Sequence, residues 1–193
     1  AADLLLAPTP TAVEHLVREG LASRTVLVGD VMADICLTVA GKVALDPPVI
    51  PRLPQEDFIL ATLHRPYNTD DPERLGQILA ELAASPVTVL LPAHPRLVSR
   101  ATSAGAVMEQ GSLRTCPPLG YHEMVSALQH ALAVVTDSGG LQKEAYLLGV
   151  PCTTVRSETE WGETLDGGWN VLCFDSIDQI VATALRKMPV GER

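Results

Sequence analysis

The sequence has 193 residues, of which 47% are hydrophobic and 19% charged, and its net charge is −9. This length and composition predict one large domain with a buried core, and the acidic balance without a Lys/Arg cluster argues against nucleic acid and anionic membrane surfaces as partners. No apolar run approaches the roughly 20 residues that cross a bilayer, so we expect no membrane contact and a cytoplasmic location.

Apolar runs alternate with helix patterns along the whole chain. In chain order they predict a short apolar run at 4–7, helix 9–19, strand 25–29, helix 31–42, strand 58–63, a helix from 72 to 84, strand 87–91, helix 95–104, strand 113–116, helix 121–131, strand 132–136, helix 140–148, strand 152–155, strand 170–174 and helix 176–187. Asp70 or Asp71 before Pro72 is a predicted helix cap, as is Ser176. Four prolines between residues 46 and 56 indicate an extended loop.

The predicted fold class is α/β, with a parallel sheet covered by helices on both faces. The strand runs are continuous in their apolar character, which is typical of strands buried on both sides. In such sheets, ligands bind beyond the carboxyl ends of the strands. Polar clusters follow four of the predicted strands: His64-Arg65, His94, residues 137–140 and residues 156–160.

The beginning of the chain does not resemble a secretory signal. Its first residues, Ala-Ala-Asp-Leu-Leu-Leu-Ala-Pro-Thr, lack a basic region and a sufficiently long apolar stretch, and no initiator Met is present. We therefore expect the sequence to be the middle of a longer chain.

The cysteines predict packing, not metal binding. Cys36, Cys116, Cys152 and Cys173 lie far apart, each in or beside an apolar stretch. We expect buried, reduced thiols, as in a cytosolic protein. No closely spaced ligand pair suits zinc, and we expect neither a metal site nor a cofactor.

The segment Asp137-Ser138-Gly139-Gly140 joins an apolar strand directly to a helix. N–H groups at such a helix start attract negative charge, glycines let the backbone approach a ligand, and the Ser138 hydroxyl adds a donor. The segment therefore suits a diphosphate, although an ordinary tight turn has the same composition. Glu144, on the same helix, suits either ribose hydroxyls or the helix dipole alone.

His64 and Arg65 lie where a ligand of the predicted sheet would lie. Arg65 suits bidentate pairing with phosphate, and His64 suits a proton shuttle or a donor to the diphosphate. An exposed loop position is the alternative for both, and for His94. The other histidines lie within helix patterns and are expected to be surface or packing residues: His15, His122 and His130.

The segment 156–170 is rich in polar and turn residues and contains both tryptophans, Trp161 and Trp169. A loop of this kind after a strand end is more often functional than filler. Packing of both tryptophans in the core is the alternative.

Taken together, these motifs resemble the non-hydrolysing UDP-N-acetylglucosamine 2-epimerases. The resemblance is carried by His64-Arg65, His94, Pro-Leu-Gly-Tyr at 118–121, Asp-Ser-Gly-Gly-Leu-Gln-Lys-Glu-Ala at 137–145, Leu-Gly-Val-Pro at 148–151, Arg-x-x-Thr-Glu at 156–160 and Gly-Trp-Asn at 168–170. It covers essentially the whole of this chain, but only the second half of the family's chain.

The resemblance implies one half of a glycosyltransferase-B-type fold. Residues 1–193 would be the C-terminal, UDP-binding, Rossmann-like domain, with the N-terminal domain absent. The resemblance assigns a catalytic role to His64, the diphosphate to Ser138, Gly139 and Gly140, the ribose to Glu144, and the uracil to Leu119 and Met124. Candidates for substrate or allosteric contacts are Arg65, His94, Arg156, Thr159, Glu160 and Trp161.

In this family UDP is eliminated to leave 2-acetamidoglucal and is then added back with C2 inverted. The resemblance implies that the acid and base groups for C2 come from the N-terminal domain. We therefore expect this chain alone to bind UDP weakly and not to epimerise. The expected partners are UDP or UDP-N-acetylglucosamine, the N-terminal domain, and a second subunit in a homodimer of the full-length enzyme.

Three departures from the family's usual sequence leave the sugar and the activation by a second substrate molecule open. Pro66-Tyr67 replaces the Arg-Glu that is common in the family, Trp161 replaces an Arg, and Lys143 replaces a Glu. A hydrolysing epimerase, a glycosyltransferase of the same fold and a non-catalytic nucleotide-binding module are the alternatives. Asp137 and Gly140 favour the non-hydrolysing type, because hydrolysing members usually carry Ser-Ser-Gly there.

Overall fold

The computed structural model describes residues 2–50 and 52–190. Its strands are β1 (Leu5–Ala7), β2 (Thr25–Leu27), β3 (Phe58–Thr62), β4 (Thr88–Pro92), β5 (Leu113–Cys116), β6 (Ala133–Thr136), β7 (Cys152–Thr154) and β8 (Asn170–Leu172). Its helices are α1 (Pro10–Arg18), α2 (Val31–Leu45), α3 (Pro66–Thr69), α4 (Pro72–Ala83), α5 (Pro95–Ser103), α6 (Tyr121–His130), α7 (Gly139–Leu148) and α8 (Ile180–Ala184). Short 3-10 turns lie at Ala22–Arg24, Gly162–Gly168 and Ile177–Gln179.

Six parallel strands form the main sheet in the order β5-β4-β3-β6-β7-β8. In chain order, β4 and β5 are added on one side of β3, and β6 then lies on the other side of β3. In the register, Leu60 of β3 pairs with Leu90 on one side and Val134 on the other. The strand order therefore reverses between β3 and β6, and such a switch point is where ligands bind in open α/β sheets.

Helices cover both faces of this sheet, which confirms the predicted architecture. Alternate residues of β3 point to opposite sides, so that Ile59 and Ala61 pack with α4, α5 and α8, whereas Phe58 and Leu60 pack with α6 and α7. A smaller cluster joins α2 to Val125 of α6. Because both faces are buried, the strands are apolar throughout, and this is the continuous pattern that the sequence shows.

The first two strands form a separate sheet. β1 and β2 pair in parallel, with Leu6 opposite Val26, and α1 packs against them. Leu6 is 61% exposed and Val26 46% exposed. Parallel strands usually occur with both faces covered, so this small sheet presents an uncovered apolar face.

The N-terminal caps follow ordinary helix chemistry. The Asp71 carboxylate accepts from the N–H groups of Glu73 and Arg74, which selects Asp71 over Asp70 as the cap of α4. Asp30 caps α2 in the same way and α2 extends to Leu45, three residues beyond its predicted end.

The predicted helix over 176–187 is too long, since a 3-10 turn at Ile177–Gln179 leads into α8, which ends at Ala184, and the Ser176 side chain caps neither. Ser176 uses its carbonyl, not its hydroxyl, to accept from the Gln179 N–H, which produces a 3-10 turn before the short α8. Beyond α8, Arg186 turns inward and donates to the carbonyl oxygens of Cys152, Gly168 and Trp169. The guanidinium thereby fastens the end of the chain to the sheet, and the helix does not continue.

The four cysteines are free and buried, as predicted. Burial raises the pKa of Cys152 to about 12 and those of Cys36 and Cys116 to about 11. These thiols are therefore protonated packing groups at neutral pH. None of the described helices combines the length and the apolarity that a membrane span needs.

Candidate functional site

The carboxyl ends of β3 and β6 meet at the switch point and bring His64 next to Asp137. The Asp137 side chain is completely buried, whereas that of His64 is 52% exposed. His64 Nδ1 lies 2.9 Å from Asp137 Oδ1, and the backbone N–H groups of His64 and Arg65 donate to the same carboxylate at 2.9–3.1 Å. Below them, the hydroxyls of Thr62 and Thr136 share a hydrogen bond of 2.6 Å.

Asn68 completes the environment of this carboxylate. Its buried amide donates to Asp137 Oδ2 at 3.1 Å and to the Val155 carbonyl at 2.9 Å. Burial alone would raise the pKa of Asp137, but hydrogen bonds from His64, Asn68 and the Arg65 N–H outweigh it and hold the pKa below its ordinary value. Asp137 is therefore ionised, and its carboxylate oxygens accept hydrogen bonds from groups of the protein itself.

The start of α7 forms a ready-made anion site. Ser138 is the N-cap, its hydroxyl accepts from the Leu141 N–H at 3.4 Å, and its own N–H donates to Thr136 Oγ. Gly139 and Gly140 are the first two helical residues, and no acidic side chain lies in the first turn. The first turn itself therefore adds no negative charge at the positive end of the helix dipole, and the carboxylate nearest to it is that of Glu160, which lies against Gly139.

An open cavity of about 330 Å³ lies in front of this helix start. It is lined by Thr62, His64, Tyr121, Met124, Ser138, Gly140, Leu141 and Glu144. Five of the residues predicted for the site therefore share one cavity. A larger groove of about 510 Å³ beside α4 is lined by Glu81, Asp175 and Asp178, so its charge is unsuitable for phosphate.

Glu144 and Tyr121 form a polar pair in the cavity wall. The Tyr121 hydroxyl donates to Glu144 Oε1 at 3.0 Å. Burial raises the pKa of Glu144, and the hydrogen bond from Tyr121 partly offsets that rise. The pKa of Tyr121 is raised, mainly by burial and secondly by the negative charge of Glu144. The phenol is therefore a fixed donor that leaves Glu144 Oε2 free for a ligand hydroxyl.

The segment after β7 folds over the first turn of α7. The Glu160 carboxylate lies against Gly139 and accepts from Arg156 Nη1 at 2.7 Å. The Thr159 hydroxyl donates to Gln142 Oε1 at 2.5 Å, and the same oxygen accepts from the Asn170 amide at 3.0 Å. This segment is thus tied to α7 by hydrogen bonds.

Lys143 connects α7 to two other parts of the chain. Its Nζ lies 2.6 Å from Glu163 and 3.8 Å from Asp30, and 4.8 Å above the ring of Trp161. Only 7% of the Lys143 side chain is exposed. Trp161 is therefore a packing surface for Lys143, whereas Trp169 is buried in the core.

Other predicted site residues lie outside the cavity wall. The Arg65 side chain donates to the Asp137 carbonyl at 3.4 Å, and Leu119 packs, like Met124, against the core cluster beneath α6 and α7. His94 caps α5, with its Nδ1 accepting from the Arg96 N–H at 3.3 Å, and it shares a small cavity of about 30 Å³ with His64. His15, His122 and His130 are exposed, in agreement with their predicted surface role.

Sequence reasoning missed Asn68, and it did not assign roles to Asp137, Tyr121 and Lys143 as partners of other side chains. A carboxylate at one strand end with a histidine at another is a signal for Asp137, but using it requires the strand order. In the described part of the chain, no cluster of three His, Cys, Asp or Glu side chains could hold a metal ion.

The parallel sheet and the helices on both faces define a Rossmann-like α/β domain, and its polar cavity lies at the switch point where ligands bind in such folds. The family model described as UDP-N-acetylglucosamine 2-epimerase matches residues 1–189. The chain belongs to this family.

Two curated relatives illustrate the match. The UDP-2,3-diacetamido-2,3-dideoxy-D-glucuronate 2-epimerase of Pseudomonas aeruginosa is 44% identical over 188 residues, covering 94% of this chain and 51% of that protein. A UDP-N-acetylglucosamine 2-epimerase homolog of Methanococcus maripaludis is 36% identical over 199 residues, covering 98% of this chain and 55% of that protein. The chain therefore spans about half the length of the curated relatives that it matches.

A solved structure gives the same picture. The UDP-GlcNAc 2-epimerase of Methanocaldococcus jannaschii, in complex with UDP-GlcNAc and UDP, superposes with a TM-score of 0.82 at 30% identity. The alignment covers 99% of this chain and 58% of that one.

Proposed function

We propose that this chain is the UDP-binding half of a UDP-sugar 2-epimerase, with UDP-N-acetylglucosamine as the first candidate substrate. The observation that carries the proposal is the cavity in which the start of α7, His64 and Glu144 face one another in a member of this family. A helix start suits the diphosphate, and a partly buried carboxylate suits the ribose hydroxyls. The M. jannaschii relative, which is bound to UDP-GlcNAc and UDP, supports this assignment.

Each part of UDP has a matching surface in the proposed complex. The diphosphate accepts hydrogen bonds from the Gly139 and Gly140 N–H groups and from the Ser138 hydroxyl. Glu144 accepts from the ribose, and Leu119 and Met124 flank the uracil, as the resemblance implies. Because His64 lies on the same wall as Ser138, it serves the diphosphate end of the ligand, where the bond to the sugar breaks.

We further propose that residues 1–193 belong to the C-terminal half of a longer enzyme. Two observations support this: the chain matches about half of each relative, and the β1–β2 sheet presents an uncovered apolar face. The other half would cover that face and supply the groups that remove and return the C2 proton. By resemblance to the family, the full-length enzyme is a cytoplasmic homodimer.

Calorimetry with UDP tests the binding role directly. We expect the 193-residue chain to bind UDP weakly, and GDP is the comparison that tests the preference for the base. Absence of UDP binding to a folded chain would contradict the proposal.

The reaction is tested on the chain joined to its natural upstream sequence. In deuterated water, NMR should show deuterium at C2 together with inversion of that carbon. Release of free UDP with N-acetylmannosamine would assign a hydrolysing epimerase instead. If neither occurs, the protein is a transferase or a binding module.

A second substrate is favoured by one observation. The relative that is 44% identical is named for a UDP-2,3-diacetamido-2,3-dideoxy-D-glucuronate substrate, which carries a second acetamido group and a carboxylate. The same NMR experiment with both sugar nucleotides decides between them, since the preferred substrate will have the higher kcat/KM.

A further inference from the structure

The two ring nitrogens of His64 face different environments. Nδ1 lies 2.9 Å from a carboxylate that is completely buried, while about half of the His64 side chain is exposed at the cavity. One nitrogen is therefore held inside the protein, and the opposite edge of the ring is available to a ligand.

The surroundings of Asp137 determine which nitrogen carries the proton. The close partners of its two oxygens are N–H donors: the backbone of His64 and Arg65, and the amide of Asn68. An ionised carboxylate can only accept hydrogen bonds. Since Asp137 is held as an anion, the His64 nitrogen that faces it must also be a donor, which requires hydrogen on Nδ1.

This arrangement is held rigidly from behind. The carbonyl of the Asn68 side chain accepts from Arg74 Nε at 2.9 Å, which fixes the orientation of the amide that donates to Asp137. Arg74 in turn donates to the Phe174 carbonyl at 2.8 Å and lies 4.0 Å from the centre of the Phe174 ring. The carboxylate therefore has little freedom to rotate away from His64.

We propose that Asp137 is a positioning residue that holds His64 in the Nδ1–H tautomer and presents Nε2 to the phosphate of the bound nucleotide. When the imidazole also carries a proton on Nε2, it donates that hydrogen to an oxygen of the departing diphosphate as the bond from sugar carbon C1 to that oxygen breaks. Asp137 stays ionised throughout and balances the charge of the imidazolium. The identity of the ligand rests on the proposed function, whereas the tautomer does not.

The tautomer can be measured without any ligand. Long-range proton–nitrogen NMR of the uniformly labelled 193-residue chain, at a pH where the imidazole is neutral, distinguishes a protonated from an unprotonated ring nitrogen. We expect hydrogen on Nδ1 of His64. The exposed His15 and His122 serve as controls and should show the Nε2–H form that is ordinary for solvated histidine. Hydrogen on Nε2 of neutral His64 would overturn the proposal.

Coupling between the two residues tests the consequence for binding. We expect Asp137→Asn and His64→Gln each to weaken UDP binding about tenfold, the usual effect of losing a charge-assisted hydrogen bond. The double variant should bind UDP no more weakly than either single variant, because each change alone already disrupts the Asp137–His64 pair. Fully additive losses would contradict the proposal. If UDP does not bind the wild-type chain, the proposed function fails while the tautomer result stands.

Discussion

The carboxylate of Glu160 lies directly against Gly139, the first residue of α7, while its Oε2 accepts a hydrogen bond from Arg156. A methyl group on residue 139 would overlap Glu160 Oε1, and the neighbouring Arg156 Nη1 would be 3.5 Å away. A side chain at this position therefore fits only if the exposed end of Glu160 moves, independently of any ligand. Gly140 differs, because a methyl group there would meet only Met32 Cε at 3.6 Å and Ser138 Oγ at 3.9 Å.

Gly139→Ala is expected to destabilise the fold by no more than about 1 kcal/mol, because the exposed end of Glu160 must move and leave Arg156. Gly140→Ala is the matched control and should leave stability unchanged or slightly higher, since alanine favours helix. Both should weaken UDP binding if the diphosphate approaches this turn. Urea unfolding and calorimetry separate the two effects.

A double variant tests the cause of that destabilisation. Adding Glu160→Ala to Gly139→Ala removes the overlapping carboxylate and should restore most of the lost stability. If the two changes are additive, the overlap is not the reason for glycine at position 139.

Glu144 should make stability depend on pH in a defined direction. Burial raises its pKa above the ordinary value of 4.5, so the folded protein holds this proton more tightly than the unfolded chain. Its contribution to stability is therefore complete below pH 4.5 and is lost as the pH rises through the raised pKa. Glu144→Gln keeps an oxygen that accepts from Tyr121 but has no proton to lose. The loss of stability with rising pH should therefore be absent in this variant. The variant should gain stability relative to wild type between pH 4.5 and 7, measured by urea unfolding; an opposite trend would contradict the burial argument.

Lys143→Met should lower the free energy of unfolding by about 2 kcal/mol, because it leaves two carboxylates without their cation. Asp30 Oδ2 is buried and has no hydrogen-bond partner, so Lys143 is its nearby charge, and Glu163 loses a 2.6 Å contact. Arg18→Met removes the exposed Arg18–Glu14 pair and should change stability by less than about 0.5 kcal/mol. Equal effects of the two changes in denaturant unfolding would argue against a special role for Lys143.

Tyr121→Phe is expected to weaken UDP binding about fivefold while preserving the fold. The phenol holds Glu144 Oε1, and losing one hydrogen bond of this kind removes about 1 kcal/mol. Tyr146→Phe is the control, since Tyr146 does not line the cavity. Calorimetry with UDP compares the variants, and an unchanged affinity for Tyr121→Phe would show that Glu144 needs no such support.

Local chemistry made most of the fold predictable. Apolar runs located the strands of the main sheet to within one or two residues, and the acidic pair before Pro72 marked a helix start, at which the structure selects Asp71. The last helix was predicted too long because Arg186 donates to carbonyl oxygens that only the folded sheet provides. The short helix α3 was also missed, since its four residues are too few to show a periodic pattern.

The candidate site was predictable in outline but not in its pairings. Strand ends identified His64 and Ser138, the helix that follows Ser138 identified Glu144, and the structure brings all three to one cavity. Lys143 stands between two polar residues on a helix, where no local pattern indicates burial, yet the segment after β7 covers it. Such burial depends on contacts between distant parts of the chain, which a single sequence does not contain.

The separation of His64 and Asp137 along the chain has a consequence for folding kinetics. The two residues are 73 positions apart, and β4 and β5 lie within the stretch of chain that separates them. Closing so long a loop is a slow, non-local step, so the cavity does not exist until that step is complete. Nucleotide added during refolding should therefore leave the rate of folding unchanged, and act by lengthening the lifetime of the folded state.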